Sequence, residues 1–566
     1  MPSLKLGICD PAVRRVERGP VTWFVSGALG DDCDRLSETA DGAAERSICE
    51  RRGDASIIRI VFGDGKPRQA SLWRGLSSSF LLYLCQTPDG DICLSDSFRW
   101  IISCLPPSLR SPSQAALVDH FMFGNVYGEG TYSEIISKLA HGQEVHIDLK
   151  TGNRTTRVFD RVPLSPPERD TDSYVREIDE GLVRFAEARA IPGDSVVLFS
   201  GGIDSTILGY YAGSALPLAN MRTPPFNLNA KLEAKYCDDA ARLLGQKCAV
   251  LVEEPTDFPA QLAACIDSLG SPPHELHMTW FDDAFRKLDY RNFLIAERAD
   301  ALLGLGGRVA RLASHFTWTP AFWLLQLATA IMPRSERFRW HTVLPAARRL
   351  RYPPGSIHSY GALTSTFTDF DLLTQVFGEK QIEERLQARL DYMQQRVELP
   401  ERYRNNFLRQ FEMSQWIKYF CIDTFSLYRQ CAHANRKSTY SPFITKDLLR
   451  VAGEVPGDVR YIKNGQGKYL LKHLLKAKVP TYQTDQRKAF PSVPLASQYP
   501  DGPLGQIWER YNMPDFMNEA VRREVTSHHH FFCWQTIKFA MWDKDIRAAE
   551  RLAPPTTSET LELELA

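Results

Sequence analysis

The residues with the clearest potential for chemistry lie in one short stretch, the segment Ser-Gly-Gly-Ile-Asp-Ser at positions 200–205. Its adjacent glycines allow positive φ and let an anion approach the backbone amides, and a helix beginning there would present the positive end of its dipole. A phosphate group would fit this turn. The carboxylate of Asp204 would repel a phosphate, so its presence predicts a cation such as Mg²⁺ between them. The predicted phosphate-site residues are Ser200, Gly201, Gly202, Asp204 and Ser205.

The elements that position this turn can be predicted from the flanking sequence. The run Val-Val-Leu-Phe at 196–199 follows Pro-Gly-Asp at 192–194 and is typical of a parallel strand that is buried on both faces. Ser205 and Thr206 then begin a helix. The turn is not a Walker A loop, because no Gly-Lys-Ser/Thr follows at the required spacing.

The segment 200–205 resembles the SGGxDS loop of the ATP pyrophosphatase family, whose members split ATP to AMP and pyrophosphate and activate a carboxylate as its acyl-adenylate. A second stretch, residues 292–307, is similar to the "sGeGaDElfgGy" segment of class-B asparagine synthetases in that family, with Arg298 in place of a glycine and Ala301 in place of a glutamate. The resemblance implies that Asp204 and Asp300 share Mg²⁺ bound to the triphosphate of ATP, and that Glu297 belongs to the catalytic residues.

Two later segments carry the same resemblance. Residues 467–472 are similar to the family's "gKyiLR" helix, and residues 485–490 to its "R.K.gF" loop, whose lysine stabilises the charge that develops during amide formation. Aligning Phe490 with the family's phenylalanine places Arg487 in the register of that lysine, whereas a slip of one residue places Lys488 there. We favour Lys488 as the catalytic cation and retain Arg487. Lys468 is interpreted equally well as a partner of phosphate or as a surface lysine.

Composition limits the class of protein. The chain has 566 residues, 43% hydrophobic and 24% charged, with a formal net charge of zero, which predicts a soluble protein of two or three domains and gives no support for nucleic-acid binding. The twelve cysteines form no CxxC pair, no signal peptide is recognisable, and no apolar run reaches the roughly 18 residues of a membrane helix. We expect a reduced, cytoplasmic protein without a membrane partner.

Residues 1–163 are rich in predicted strands separated by turns, which indicates an antiparallel α+β domain. The segments 94–96 and 121–131 resemble parts of the N-terminal glutaminase-type (Ntn-type) domain of class-B asparagine synthetases. Those glutaminases use a cysteine directly after the initiator methionine, where this sequence has Pro2. Cys9 is the nearest cysteine and is expected to be a buried small side chain. We therefore expect a domain that keeps this fold and has lost glutamine hydrolysis.

The proline-rich segment 164–172 is the predicted linker, and residues 173–552 form the predicted second domain. Its helices alternate with strands, which predicts an α/β fold with a parallel sheet, and the resemblance implies the adenine nucleotide α-hydrolase-like (PP-loop) type. Residues 553–566 are expected to form a flexible tail.

Within the family, three kinds of ligase fit to different degrees. An asparagine synthetase without the glutaminase cysteine would depend on free ammonia. A β-lactam synthetase would carry a tyrosine where Glu297 stands. The third is a lasso peptide cyclase, a macrolactam synthetase. It is favoured by the loss of the cysteine and by two replacements before Pro442. Ser438 and Tyr440 stand where the synthetases usually have a glutamate and an arginine, four and two residues before the corresponding proline.

A lasso peptide cyclase would join the α-amine of a leaderless precursor peptide to an Asp or Glu side chain, using ATP and Mg²⁺. The partners that this resemblance implies are the precursor peptide, a leader-peptide protease and a leader-binding protein. An inactive scaffold is the alternative from outside the enzymes, but the acidic residues beside the phosphate turn argue against it.

Overall fold

The structure is a computed structural model, and it describes residues 2–27, 30–36, 42–162, 169–222, 228–304, 370–396, 415–416, 419–420, 423–460, 462–463, 466–485, 502–505, 511 and 530–565. No helix among these residues is long and apolar enough to cross a membrane.

The N-terminal part contains most of the antiparallel strands. Its strands are β1 (Ser3–Ile8), β2 (Arg14–Arg18), β3 (Val21–Ser26), β4 (Ser56–Gly63), β5 (Lys66–Arg74), β6 (Tyr83–Gln86), β7 (Ile92–Ser95), β8 (Ile136–Lys138), β9 (Gln143–Asp148) and β10 (Arg154–Val158). Its helices are α1 (Gly30–Asp34), α2 (Ala43–Arg52), α3 (Phe98–Cys104) and α4 (Gln114–Phe123).

The C-terminal part alternates helices with strands, of which β11 to β15 pair in parallel, while β16 to β18 have antiparallel partners. Its strands are β11 (Ser195–Leu198), β12 (Leu218–Arg222), β13 (Cys248–Val252), β14 (Asn292–Leu294), β15 (Ser438–Tyr440), β16 (Ile462–Lys463), β17 (Gln466–Gly467) and β18 (Glu559–Glu564). Its described helices are α5 (Thr171–Arg189), α6 (Ile203–Ala212), α7 (Leu228–Leu244), α8 (Phe258–Leu269), α9 (Met278–Lys287), α10 (Ala299–Leu303), α11 (Phe370–Phe377), α12 (Glu379–Gln394), α13 (Thr424–Ala434), α14 (Lys446–Glu454), α15 (Gly457–Arg460), α16 (Tyr469–Lys478) and α17 (His530–Trp542).

Two sheets pack face to face in the N-terminal part, and their strand orders within the described chain are β18-β1-β7-β6-β8 and β10-β9-β5-β4-β3-β2. Side chains alternate between the two faces of β4, as in any pleated strand, and both faces are buried over its first five residues. Ile58 and Ile60 point into the core between the sheets, while Ile57 contacts the cluster that includes Ile48 of α2. Helices α3 and α4 cover the outer face of the other sheet. The layers therefore run helix, sheet, sheet, helix.

Two features of this part differ from the sequence-based expectation. β1 pairs with β7 in parallel, so the sheet is mixed rather than antiparallel. The expected flexible tail instead forms β18, which pairs antiparallel with β1, with Leu4 opposite Leu563 and Leu6 opposite Leu561. The reason is the period-two pattern of the segment 559–564, whose leucines pack against the core between the sheets.

The parallel sheet predicted for the second part is confirmed, with the order β13-β12-β11-β14-β15 in the described residues. β11 is buried on both faces, as predicted: Val197 packs with helices α5, α6, α14 and α16, and Val196 with α8, α9 and α13. The chain leaves β11 toward β12 and later returns to its other side as β14. This reversal of direction produces a crevice at the carboxyl ends of β11 and β14, where sheets of this type bind ligands.

The two parts share one continuous core. Side chains of α3 and α4 pack with Leu262 of α8 and Trp534 of α17. The predicted linker 164–172 ends earlier than expected, because α5 begins at Thr171 with Asp170 as its N-cap, whose carboxylate accepts a hydrogen bond from the Ser173 amide at 2.7 Å.

Candidate active site

The turn after β11 leads directly into α6, whose N-terminus is open. Gly202 is the N-cap residue, and no side chain caps the helix. The first amides of an α-helix have no partner within the helix, and its dipole places partial positive charge at that end. An anion can therefore bind to the N-terminus of α6.

Gly201 has the stricter steric requirement of the two glycines. Its φ is +72°, and a Cβ at this position would lie 2.5 Å from the backbone N and Cα of Cys237 in α7. Its carbonyl oxygen accepts a hydrogen bond from the Tyr482 hydroxyl at 2.8 Å. Gly202 has φ −73°, and among the described residues a Cβ there would meet the Ser200 Oγ alone, at 3.4 Å. Positive φ was expected to suit both glycines, but the turn requires it at Gly201.

The two serines hold the turn closed. Their Oγ atoms lie 3.1 Å apart, and the Ser200 amide donates to the Ser205 Oγ at 3.2 Å. The Ser205 hydroxyl also lies within hydrogen-bonding distance, 3.2 Å, of the Gly202 carbonyl oxygen. These contacts hold the backbone of the turn in place at the N-terminus of α6.

Asp204 and Asp300 lie at the ends of the neighbouring strands β11 and β14 and are brought together by one lysine. The Lys468 Nζ is 2.5 Å from the Asp204 Oδ2 and also contacts the carboxylate of Asp300. Burial opposes the charged form of Lys468, but the charges of the two aspartates outweigh it and raise the lysine pKa above its usual value. The two carboxylates thus converge on one positive charge.

The backbone brings Lys468 close to the Asp300 loop. Lys468 has φ +56° and immediately precedes α16. Gly304, at the end of α10, has φ +118°, and a Cβ there would lie 3.2 Å from the Lys468 amide nitrogen and 2.7 Å from the Arg460 carbonyl oxygen. Only a residue without a side chain allows this approach. Of the two interpretations of Lys468, the structure supports the one that places it in the site.

The donor set fits Mg²⁺. Mg²⁺ prefers oxygen ligands and commonly takes one or two carboxylates together with substrate phosphates. Asp204 and Asp300 are such a pair, and their convergence on the Lys468 ammonium shows that the space between them suits a cation. Within the described residues no group of three or more metal-ligating side chains occurs.

Glu297 follows β14 and its backbone is anchored to the next strand. Its carbonyl oxygen accepts a hydrogen bond from the Ser441 hydroxyl at 2.8 Å. Burial raises the pKa of the Glu297 carboxyl, and the charges of Glu275 and Asp300 add to this effect. The carboxyl group of Glu297 therefore feels the charges of both Asp300 and Glu275.

Arg298 occupies the position of a glycine in the resembled motif and has the backbone conformation that favours glycine, with φ +74°. Its guanidinium lies 3.4 Å from the Asp423 Oδ1 and 5.2 Å from the centre of the Tyr419 ring. Asp423 also binds Arg74 of β5 at 2.6 Å. These contacts connect the Asp300 loop to the N-terminal part, a link that no local motif indicates.

The remaining predicted residues have different outcomes. Arg487 and Lys488 lie outside the described residues, so their relation to the aspartates stays a prediction. Cys9 is buried, as expected, with 7% of its surface exposed, and burial raises the pKa of its thiol well above the usual value. The carboxylate of Asp96 accepts hydrogen bonds from the amides of Cys9 and Asp10, each at 2.7 Å. This environment does not activate the thiol.

Comparison with known proteins agrees with this geometry. Residues 194–543 match the profile of the family described as asparagine synthase. The chain belongs to the asparagine synthase family. The matched range begins one residue before β11 and includes Asp204, Asp300 and Lys468. No curated protein matches the chain.

Membership of the asparagine synthase family supports a carbon–nitrogen ligase that depends on ATP. The turn before α6 and the two aspartates are then the candidate nucleotide site of this asparagine synthase-like ligase. Sequence reasoning found the turn and both aspartates because each lies in a short motif. It did not find Tyr482 or Asp423, which reach the site from distant segments.

Proposed function

We propose that the chain is an ATP-dependent amide ligase of the PP-loop type. A carboxylate of the substrate attacks the α-phosphate of ATP, and an acyl-adenylate forms as pyrophosphate leaves. An amine then attacks the acyl carbon, the C–N bond forms, the C–O bond to AMP breaks, and the nitrogen loses a proton. The observation that carries the proposal is the convergence of Asp204 and Asp300 on Lys468 beside the open N-terminus of α6.

The residues of the site divide between binding and charge neutralisation. The amides at the start of α6 bind phosphate oxygens, since the helix dipole favours negative charge there. Asp204 and Asp300 would hold Mg²⁺, which when bound would neutralise phosphate charge. Lys468 carries positive charge next to both carboxylates. Lys488, with Arg487 as the alternative, is proposed to stabilise the charge that develops during amide formation.

We propose macrolactam closure of a lasso peptide as the specific reaction, between the α-amine of a leaderless precursor and an Asp or Glu side chain. Support comes from β15, where the resembled synthetases carry a glutamate and an arginine. Here Ser438 is buried, and Arg189 stacks on the Tyr440 ring with its Cζ 4.4 Å from the ring centre. This edge of the site therefore lacks that charged pair. A leader-peptide protease and a leader-binding protein are the proposed partners.

The N-terminal part is proposed to be a glutaminase-like domain of the Ntn type that does not hydrolyse glutamine. Its layer order of helix, sheet, sheet and helix supports this assignment, as does the burial of Cys9. The amine would then come directly from the substrate or from free ammonia.

The test of the ligase proposal is pyrophosphate release that depends on the carboxylate substrate. The variant Asp204→Asn should abolish it, because the site loses one of its two carboxylates. Asp194→Asn is the matched control: Asp194 is exposed and lies just before the other end of the same strand, β11. Release that is equal in both variants would refute the site.

A second assay separates the possible substrates. The protein is incubated with ATP and Mg²⁺ and either aspartate plus ammonium chloride or a candidate core peptide, and the products are weighed by mass spectrometry. Loss of one water from the peptide supports the cyclase. Asparagine formed without loss of water from the peptide would identify an ammonia-dependent asparagine synthetase instead, and absence of pyrophosphate release with every substrate would favour an inactive scaffold.

A further inference from the structure

A hydrogen-bonded group of side chains lies near the end of β14, and none of the motifs discussed above includes it. Its members Tyr428 and Phe281 share a hydrophobic cluster with Ile295, two residues before Glu297. His277, the N-cap residue of α9, is the centre of the group. Its Nε2 is 2.9 Å from the Glu275 Oε2 and 2.6 Å from the Tyr428 hydroxyl of α13. Tyr428 is fully buried and stacks on Phe281 with ring centres 4.5 Å apart, which fixes its position.

This group lies in a recess that solvent reaches. Burial disfavours the charged forms of Glu275, His277 and Glu297 and so acts on the pKa of each, because protein atoms surround all three groups. Yet the side chains of His277 and Glu275 remain 25% and 40% exposed. Groups that are deep in the protein and still touch solvent can be reached by a small part of a substrate.

The contacts determine which ring nitrogen of His277 carries the hydrogen. Burial would raise the pKa of Glu275, but the charge and hydrogen bond of His277, together with the charges of His274 and Arg298, outweigh it and hold that pKa at about 2. Glu275 is therefore a carboxylate, which only accepts hydrogen bonds. The short contact to Nε2 thus places the hydrogen on Nε2. In the described part of the chain, the hydrogen bonds of this imidazole all involve Nε2, so the neutral form of His277 has its lone pair on Nδ1.

The charges around the imidazole favour a positively charged ligand. Burial lowers the pKa of His277, but Glu275, Glu297 and Glu233 together raise it above the usual value. The same carboxylates would attract an ammonium group. Three further side chains contribute charge near the recess. Arg298 and His274 lower the pKa of Glu275, and Lys538 lowers the pKa of His274.

We propose that this recess binds the amine substrate of the ligase and that the Nδ1 of His277 takes the proton from the attacking nitrogen. The proposal rests on the ligase function above. The amine arrives as an ammonium ion among the carboxylates and transfers a proton to Nδ1. Its lone pair then forms the C–N bond as AMP leaves with the electrons of the C–O bond, and the surplus proton that the nitrogen still carries passes to the phosphate of the departing AMP. Glu275 orients the imidazole and stabilises its charged form, as the carboxylate does in a Ser-His-Asp triad.

The decisive variant is His277→Gln, measured in two assays on the full chain. Exchange of pyrophosphate into ATP reports adenylate formation, which needs no amine, and it should be unchanged. Amide formation should fall about 100-fold or more, the range of a lost general base. Glu275→Gln should also lower amide formation selectively. His473→Gln is the control, since His473 is 49% exposed and stacks on Tyr469 outside the recess.

Hydroxylamine gives an independent readout, because it is largely unprotonated at neutral pH and needs no base. With hydroxylamine as the nucleophile, the His277→Gln variant should form hydroxamate as fast as the wild-type protein. A loss of both reactions, or of pyrophosphate exchange, would show a structural role for His277 and overturn the proposal. Unchanged amide formation with ammonium or a peptide amine would overturn it as well.

A measurement without turnover separates this proposal from the ligase function. Diethyl pyrocarbonate modifies unprotonated histidines that solvent reaches, and mass spectrometry identifies the modified peptide. Glycinamide, a simple α-amine, should protect His277 and leave His473 unprotected. Protection without any pyrophosphate release would refute the ligase function but keep an amine site. Pyrophosphate release without protection would keep the ligase function and refute the amine site.

Discussion

Lys468 provides the sharpest test of how the candidate site is built, because it occupies the position between two carboxylates that Mg²⁺ is proposed to share. The substitution Lys468→Met keeps much of the side-chain length and removes the charge. Asp204 and Asp300 then face each other without the ammonium group that now contacts both of them. We expect a protein that is less stable without Mg²⁺ and more strongly stabilised by it.

The size of the effect follows from exposure. The side chains of Lys468, Asp204 and Asp300 are 14%, 20% and 31% exposed, so the group is neither a surface pair nor fully buried. Exposed ion pairs contribute about 0–1 kcal/mol, and breaking a buried pair costs about 3–5 kcal/mol. We therefore expect Lys468→Met to lower the free energy of unfolding by about 2–3 kcal/mol in the absence of Mg²⁺, between these two limits.

Mg²⁺ should reverse most of this loss. In the wild-type protein the ion competes with the ammonium group, whereas in the variant it meets two uncompensated carboxylates. A ligand at 100 times its Kd stabilises a protein by about 2.7 kcal/mol. Titrating Mg²⁺ during denaturant unfolding should thus raise the midpoint more in Lys468→Met than in the wild-type protein.

The control is Lys476→Met, which removes an exposed lysine from the same helix, α16. It should leave both the midpoint and its response to Mg²⁺ unchanged. Equal stabilisation of the wild-type protein and Lys468→Met by Mg²⁺ would refute a shared cation position. So would a Lys468→Met variant as stable as the control without Mg²⁺.

Three further changes test the structure around the site by denaturant unfolding. Gly201→Ala should lower the free energy of unfolding by about 1–3 kcal/mol and weaken ATP binding, because the residue has positive φ and its Cβ would collide with the backbone of α7. Gly202→Ala should be tolerated, and equal effects of the two substitutions would contradict the steric argument. Asp423→Asn should lower the free energy of unfolding by about 3–5 kcal/mol, because the buried guanidinium groups of Arg74 and Arg298 lose their carboxylate partner. A loss smaller than that of a surface ion pair would contradict this role of Asp423. Leu563→Asp should destabilise β18 by about 1–3 kcal/mol, and an unchanged midpoint would show that this strand contributes no stability.

The sequence predicted the parts of the site that are local. The apolar run before the turn has the composition of a doubly buried strand, and Val196 and Val197 indeed face opposite layers of helices. The strand itself needed only the apolar pattern for its prediction. The meeting of Asp204 and Asp300 was implied by the family resemblance, and it agrees with the structure, in which β11 and β14 are neighbours in the parallel sheet.

The parts that could not be predicted depend on contacts between distant segments. Tyr482 reaches Gly201 across 281 positions, and nothing in its own neighbourhood marks it. β18 did carry a signal, since Leu561 and Leu563 alternate with glutamates, but a short strand at a chain end has no visible partner until the open edge of β1 is known. His277 was not among the predicted site residues, and its partner Tyr428 is 151 residues away.

Arg298 suggests why the N-terminal part matters to the ligase. A non-glycine residue with positive φ costs about 1–2 kcal/mol, so the arginine must be compensated by its contacts. Asp423 supplies them, and it also binds Arg74 of β5 at 2.6 Å and His141 at 3.2 Å. The charges of these neighbours outweigh burial and lower the pKa of Asp423, which keeps it ionised. The loop that carries Asp300 is thus anchored to the N-terminal part, which gives that part a structural role beside the candidate nucleotide site.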